Sequence, residues 1–438
     1  MSNSEIAIRF FLQLTAILAV CRLVGMLARR VGQPQVVGEM IAGVLLGPSL
    51  LGLVAPDWQH KLFPTGPSMT MIYVVAQVGL VLYMFLIGLE FDTGLIRHRI
   101  PSAVSISVSG VLAPLVLGAL TASVLVQQSG TYFAAGVKSW QAMLFMGSAI
   151  AITAFPMLAR IIFERRLTGT SLGTLALAAG ATDDAISWCL LAVVLAVFKH
   201  DTSIAFLAIG GGIAYAVTML TVGRRLLARL GAKVEREGEV GPPVLSFVLM
   251  LLMLGAWFTD YVGIYAVFGA FLLGVAMPRG LLADRIRRAF EPLVTQLLLP
   301  LFFVFSGLNT QIGLVNSVTL WGVALLILAV SVLGKGVACW FAARLNKEPQ
   351  REALALGSLM NARGLMELIL LNIGLQAGLI TPTLFTILVF MAIATTLMAT
   401  PLFEFVYGRF RSLPTATATA AATAGAVPGL AKVKGARR

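Results

Sequence analysis

The chain has 438 residues, of which 58% are hydrophobic and only 12% charged, and its mean hydropathy is strongly positive. That composition excludes a soluble globular domain and points to a polytopic membrane protein. A net charge of +13 would fit a nucleic-acid binder only if the lysines and arginines formed a stripe on a soluble face; here they fall between apolar segments, so no nucleic-acid partner is expected.

Hydropathy predicts thirteen apolar segments, at about 6–27, 34–53, 70–91, 101–127, 139–163, 170–197, 202–222, 243–260, 262–277, 289–308, 316–343, 352–375 and 381–407. Most are close to the roughly 20 residues that span a bilayer. The N-terminal MSNSEIAIRFFLQL has no basic leader or A-x-A-like cleavage site, so the first segment is expected to be retained. Segments eight and nine are parted only by residues 260–263, the weakest boundary. The longest internal loop is expected at 223–241, basic then acidic, and residues 412–438 read as a disordered tail.

Basic residues accumulate in cytoplasmic loops. One set of alternate loops carries Arg29, Arg30; Arg97, Arg99; Arg160, Arg165, Arg166; Arg224, Arg225, Arg229, Lys233, Arg236; Arg279, Arg285, Arg287, Arg288; and Arg344, Lys347, Arg351, followed by the basic tail. The other set has only Arg9, Lys61, Lys138 and Lys199. This places the N-terminus outside and the C-terminus in the cytoplasm. Cys21, Cys189 and Cys339 fall in apolar segments without a disulfide or metal-knuckle spacing, and His60, His98 and His200 lie singly in loops, so neither a metal centre nor any cofactor is expected. Most of the tryptophans lie near the expected membrane interfaces.

Two segments break the apolar pattern. The fifth carries Thr153, Ala154, Phe155 and Pro156, where proline removes a backbone donor and crowds the preceding turn. The twelfth carries Asn361, Ala362, Arg363 and Gly364 near its middle. Irregular backbone at that depth is tolerated only where protein buries it or an aqueous cavity meets it. The breaks lie seven segments apart, so the two run in opposite directions: segments four to six and eleven to thirteen form an inverted repeat whose interrupted helices cross near the midplane.

Asp183 and Asp184 sit in the middle of segment six. A charge there costs roughly 2.5 to 3.5 kcal/mol even on the lenient insertion scale, so such residues usually line ion or proton pathways. Successive residues on a helix are about 100° apart, so the two carboxylates cannot point at one place. Lys335, in segment eleven, is the candidate partner for one of them. Two carboxylates and a lysine titrate as a coupled set, able to exchange a proton for a metal cation. A desolvated alkali ion also needs neutral oxygens, for which Thr153, Thr182 and the carbonyls freed at the first break are the suppliers. The blander reading is that Asp183 and Lys335 only neutralise half-helix dipole ends. Glu39 and Glu90, near the cytoplasmic ends of segments two and three, read as mouth or cap residues in reach of water, and Arg363 and Glu367, four apart, as a local pair.

Six motifs in order carry a resemblance over about residues 5–410: VGEMIAGVLLGPSLLG (37–52), VLYMFLIGLEFD (81–92), SAIAITAFPMLARI (148–161), ATDDAISW (181–188), PLFFVFSGLNTQIG (300–313) and GSLMNARGLMELILLNIGL (357–375). The chain resembles the monovalent cation:proton antiporter superfamily, in the double-aspartate branch that includes Kef-type and NapA-like bacterial Na+/H+ exchangers. The resemblance implies an all-α polytopic protein of about 13 transmembrane helices with the NhaA-like fold, in a bacterial plasma membrane. It implies a cation/proton exchanger domain over 1–411, with core helices at about 101–197 and 316–407 and dimerisation helices at about 6–53 and 202–277, working as a homodimer. Asp184 is then the carboxylate that alternately holds Na+, Li+ or K+ and a proton, and Asp183 the partner of Lys335. Thr153 lies at one unwound segment and residues 361–364 at the other. Aspartate in both positions matches the electrogenic pattern. Kef-type K+ efflux remains as an alternative, although no nucleotide-binding segment follows Arg411. An intramembrane aspartyl protease is disfavoured because its two aspartates must share a proton across about 3 Å and so come from different helices. A channel needs a continuous ring-lined pore, which a single buried site does not make. An organic-ion symporter sharing the fold also stays open.

Overall fold

The computed structural model describes residues 3–30, 33, 35–64, 66–91, 99–128, 130–199, 201–308, 317–363 and 365–408. Gly364, Arg97, His98, His200 and the tail at 412–438 lie outside the described residues. Among the described residues the chain is predominantly helical: α1 (Asn3–Arg30), α2 (Gln35–Leu46), α3 (Pro67–Glu90), α4 (Ile100–Leu125), α5 (Ser139–Ala151), α6 (Phe155–Glu164) and α7 (Ser171–Lys199) are the main helices of the first half. The second half comprises α8 (Ser203–Thr218), α9 (Arg224–Glu237), α10 (Pro242–Tyr261), α11 (Ala266–Ala276), α12 (Leu281–Leu293), α13 (Leu299–Leu308), α14 (Val318–Leu345), α15 (Gln350–Leu359), α16 (Leu365–Gln376) and α17 (Pro382–Tyr407). Among the described residues there is no named strand, only an isolated bridge between Phe133 and Ile380.

Eleven helical spans among these residues are long and apolar enough to cross a membrane. The two remaining segments of the expected thirteen are the short helix α11 and the interrupted pair α15 and α16, neither of which qualifies by length alone. Prolines mark several starts: Pro67, Pro101, Pro156, Pro242 and Pro382 occupy the first or second helical position, where a missing N–H costs nothing.

Two packing groups emerge. Helix α4 packs on α5, α7 and α14, while α14 packs on α15 and α17. Separately, α2 packs on α1 and α13, and α3 on α11 and α13. The interrupted span 139–164 is the most enclosed, with 89% of its apolar window buried, against 11% for the span from α8 through α9. Backbones in the second group approach closely. A Cβ on Gly88 of α3 would lie 2.4 Å from the Phe271 carbonyl of α11, and one on Gly43 of α2 would lie 2.5 Å from the Val304 carbonyl of α13. Small residues permit such approach in membrane helices, where packing rather than the hydrophobic effect drives association.

The expected loop at 223–241 is corrected. A π-helical turn at Met219–Gly223 carries the chain into α9, whose Leu227, Gly231 and Val234 are buried. These residues recur at spacings of four and three, so the segment has one apolar face, which a count of charges hides. The boundary between segments eight and nine stands as a turn ending at Tyr265, which takes φ +85° immediately before α11.

Candidate functional site

The fifth segment is interrupted, not merely kinked. Residues 152–154 leave the helix, with Ile152 and Ala154 extended, and Pro156 opens the second half as an ordinary first-turn proline. The twelfth segment leaves the helix over residues 360–363. The two gaps meet: the Ala154 amide donates to the Ala362 carbonyl at 3.1 Å, and the Thr153 hydroxyl to the Met360 carbonyl at 3.4 Å.

The end of α5 leaves carbonyls with no helical partner, and two buried cations take them. Arg363 donates through Nη1 to Ala149 and Ile152, both at 3.2 Å, and through Nη2 to the Ile150 carbonyl and the Ser331 hydroxyl. Lys335 donates to the Ala151 carbonyl. Positive charge thus sits on the negative end of the half-helix dipole. The Arg363 backbone is pinned in turn, since its amide donates to the Thr396 hydroxyl at 3.0 Å and its carbonyl accepts from that hydroxyl at 2.8 Å. Arg363 and Glu367 do pair, at 3.6 Å and both fully buried, but the arginine's larger task is to cap α5.

On α7 the adjacent aspartates part company. Asp183 lies 3.0 Å from Lys335 Nζ, with both side chains fully buried. Asp184 is 2% exposed and lies beside the start of α6 and near Trp188, one turn along α7. Its Oδ1 has no hydrogen-bond partner, and among the described residues Asp184 makes no ion pair. The positive end of α6 faces it, as an anion at a helix N-terminus should be faced. The two carboxylates therefore serve different partners and do not converge as a proton-sharing dyad would. A buried carboxylate with one unpartnered oxygen has room for one proton or one small cation; of the carbonyls freed at the first break, that of Ile152 is taken by Arg363 and that of Ala154 by the Leu158 amide.

Some expected ligands sit elsewhere. The half-buried Thr182 donates to Ala178 on its own helix at 2.9 Å, the usual habit of a helical threonine, and makes no hydrogen bond to either break. Asn361 folds back onto the Gly357 carbonyl at 2.8 Å. Glu39 is corrected: it does not reach water but is fully buried, 3.0 Å from the Gln35 side chain and 3.8 Å from Arg160. Arg160, counted above as a loop charge, is itself buried and pairs with Glu164 at 2.7 Å, whose carboxylate caps the Gln35 and Val36 amides at 2.5 and 3.2 Å. Glu90 pairs with Arg287 at 3.1 Å beside a cavity of about 300 Å³. Ser331, Thr396 and Trp188 escaped the sequence reading, because a lone hydroxyl or indole in an apolar run carries no signal.

The profile of the transmembrane sodium/hydrogen exchanger family matches residues 15–406. The chain belongs to that family. Its relatives include the Na(+)/H(+) antiporter NhaS4 of Synechocystis, 38% identical over 89% of this chain and 95% of that protein. Cation/H(+) antiporter 17 of Arabidopsis thaliana is 36% identical over 92% of this chain and 49% of its own length. K(+)/H(+) antiporter 1 of Saccharomyces cerevisiae is 31% identical over 92% and 47%. The chain thus spans nearly all of the cyanobacterial relative and about half of the plant and yeast ones. Among solved structures, the sodium proton antiporter MjNhaP1 of Methanocaldococcus jannaschii shares the fold, with a TM-score of 0.60 at 17% identity over 92% of this chain and 97% of that one. The family is one of transporters.

Proposed function

We propose that this membrane protein is a secondary antiporter that exchanges a monovalent cation for protons by alternating access, with Asp184 as the exchanging carboxylate. The observation that carries the assignment is the division of labour on α7. Asp183 is neutralised by Lys335, whereas Asp184 is buried with an unpartnered oxygen beside the helix crossing. A carboxylate at that depth is costly until a proton or a cation neutralises it, and alternation between those two occupants is antiport.

Na+ is the first cation we assign, on the strength of the Na(+)/H(+) antiporter relative that matches over nearly its full length; the yeast K(+)/H(+) relative keeps K+ as the second. We further assign α4–α7 and α14–α17 to a moving core, and α1, α2 and α8–α11 to a scaffold through which two copies assemble. The N-terminus is placed outside and the C-terminus in the cytoplasm, within a bacterial plasma membrane. Aspartate at both positions with Lys335 present supports electrogenic exchange.

In proteoliposomes carrying a preset pH gradient and an entrapped pH dye, addition of Na+, Li+ or K+ is expected to dissipate the gradient. Asp184→Asn is expected to abolish the response at every cation concentration. Wild-type exchange by that variant would remove Asp184 from the site. Comparing Li+, Na+ and K+ in the same assay identifies the cation.

A further inference from the structure

Ser187 lies one turn beyond the aspartates on α7 and is 4% exposed. Its hydroxyl has no hydrogen-bond partner. Other helical hydroxyls in this chain donate to the carbonyl four residues earlier: Thr182 to Ala178 at 2.9 Å, Ser148 to Leu144 at 2.6 Å and Ser358 to Leu354 at 2.9 Å. That is the usual habit of such a side chain, so a buried serine that departs from it calls for a different partner. At about 100° per residue, Ser187 projects about 40° from Asp183 and about 60° from Asp184, between the two. Helical side chains lean toward the N-terminus, which inclines the hydroxyl back over the carboxylates. Asp183 is directed at the end of α5, where Lys335 joins it to the Ala151 carbonyl. Asp184 is directed at the start of α6: a Cβ on Gly180, one turn earlier on the same face, would lie 3.4 Å from the Phe155 ring. Ser187 is thus aimed at the interruption between the two half-helices.

We propose that Ser187 supplies a neutral oxygen to the transported cation, its hydroxyl and the Asp184 Oδ1 closing on one ion from adjacent turns of α7. This rests on the assignment of Asp184 above. A desolvated hard cation needs neutral oxygens beside its carboxylate, and those at the first break are largely engaged. The Ala151 carbonyl accepts from Lys335, that of Ile152 from Arg363 and that of Ala154 from the Leu158 amide. The Thr153 hydroxyl is tied to Met360 and the Thr182 hydroxyl to Ala178. A serine oxygen carries two acceptor lone pairs, and in Ser187 neither is engaged by the protein. Residues three apart on a helix have Cβ atoms about 5–6 Å apart, a span that one ion held between the two side-chain oxygens bridges.

Two substitutions separate an oxygen ligand from a space filler. Ser187→Cys keeps the shape but replaces the oxygen with sulfur, which hard cations do not select, whereas Ser187→Thr keeps the oxygen. In the proteoliposome assay at fixed pH, Ser187→Ala and Ser187→Cys are both expected to raise the KM for Na+ about tenfold, the size of one polar contact with a charged group. The loss should fall in KM rather than in maximal rate, as it does when binding common to ground and transition states is removed. Ser187→Thr should bring KM back toward the wild-type value, well below that of the cysteine variant. In purified protein, the rise in melting temperature that Na+ produces over choline should shrink in the alanine and cysteine variants. A wild-type KM in Ser187→Cys, a fall in maximal rate alone, or a threonine variant no better than the cysteine one makes the side chain a packing element and overturns the proposal. If Asp184→Asn is inactive while Ser187→Cys behaves as wild type, only the role of Ser187 fails. If Asp184→Asn still exchanges, the site assignment itself fails.

Discussion

Asp183 and Asp184 differ by one position and by everything that surrounds them. The first is one half of a fully buried ion pair, and the second lies beside a helix N-terminus and near an indole. Removing one member of a buried pair leaves a bare charge, which costs about 3–5 kcal/mol. Lys335→Met is therefore expected to lower the melting temperature in detergent, and Asp183→Asn in the same chain to restore much of the loss. A double variant no more stable than Lys335→Met alone would mean that the lysine acts mainly by capping α5 through Ala151. The sequence exposed these residues because charge in an apolar run is conspicuous. It also nominated Lys335 as a partner, since two costly charges of opposite sign reduce each other's cost. It misjudged Glu39 and Arg160, whose places near segment ends suggested water, because enclosure by α1, α2, α3 and α6 is invisible along the chain.

At the level of elements, the two interrupted helices form one unit. The α5 end is held by cations from α14 and from the opposing break, and the α6 start faces an anion on α7. The proline and the Asn-Ala-Arg-Gly run marked both interruptions beforehand, since each offends helical geometry locally. What they could not convey is that Arg363 reaches across to α5. Helix contacts in the other packing group depend on bare glycine faces, and these give a second test. Gly88→Leu would drive a side chain into the α11 backbone; overpacking of this kind costs about 1–3 kcal/mol or more, so a marked drop in melting temperature is expected. Gly210→Ala on α8, with nothing within 4 Å of the new Cβ, should be neutral or raise stability by up to about 1 kcal/mol. Equal effects of the two substitutions would show that the close approach of α3 and α11 contributes nothing.

For the whole molecule, the arrangement of basic loops makes an orientation testable. In a cysteine-free background, Asp57→Cys, exposed between α2 and α3, is expected to react with an impermeant maleimide applied to intact cells. Lys233→Cys on α9, whose side chain is 60% exposed, should react only after the cells are opened. The reverse pattern would invert the topology assigned to the termini. Helix α9 also shows the limit of reading charge alone: a basic and acidic stretch taken for a loop is an amphipathic helix resting on α12.

The sequence by itself determined that the chain is a multi-pass helical membrane protein, where most of its segments lie, where two of them break, and which carboxylates are out of place. Those features are set by hydropathy, proline geometry and the cost of burying charge, which act on each segment whatever its neighbours. Only the tertiary structure decided that Arg363 caps a half-helix 214 residues away and that Trp188 of α7 stacks on Tyr265 before α11. These are pairings between side chains far apart in the chain, and they arise from how the helices pack, which no local signal encodes.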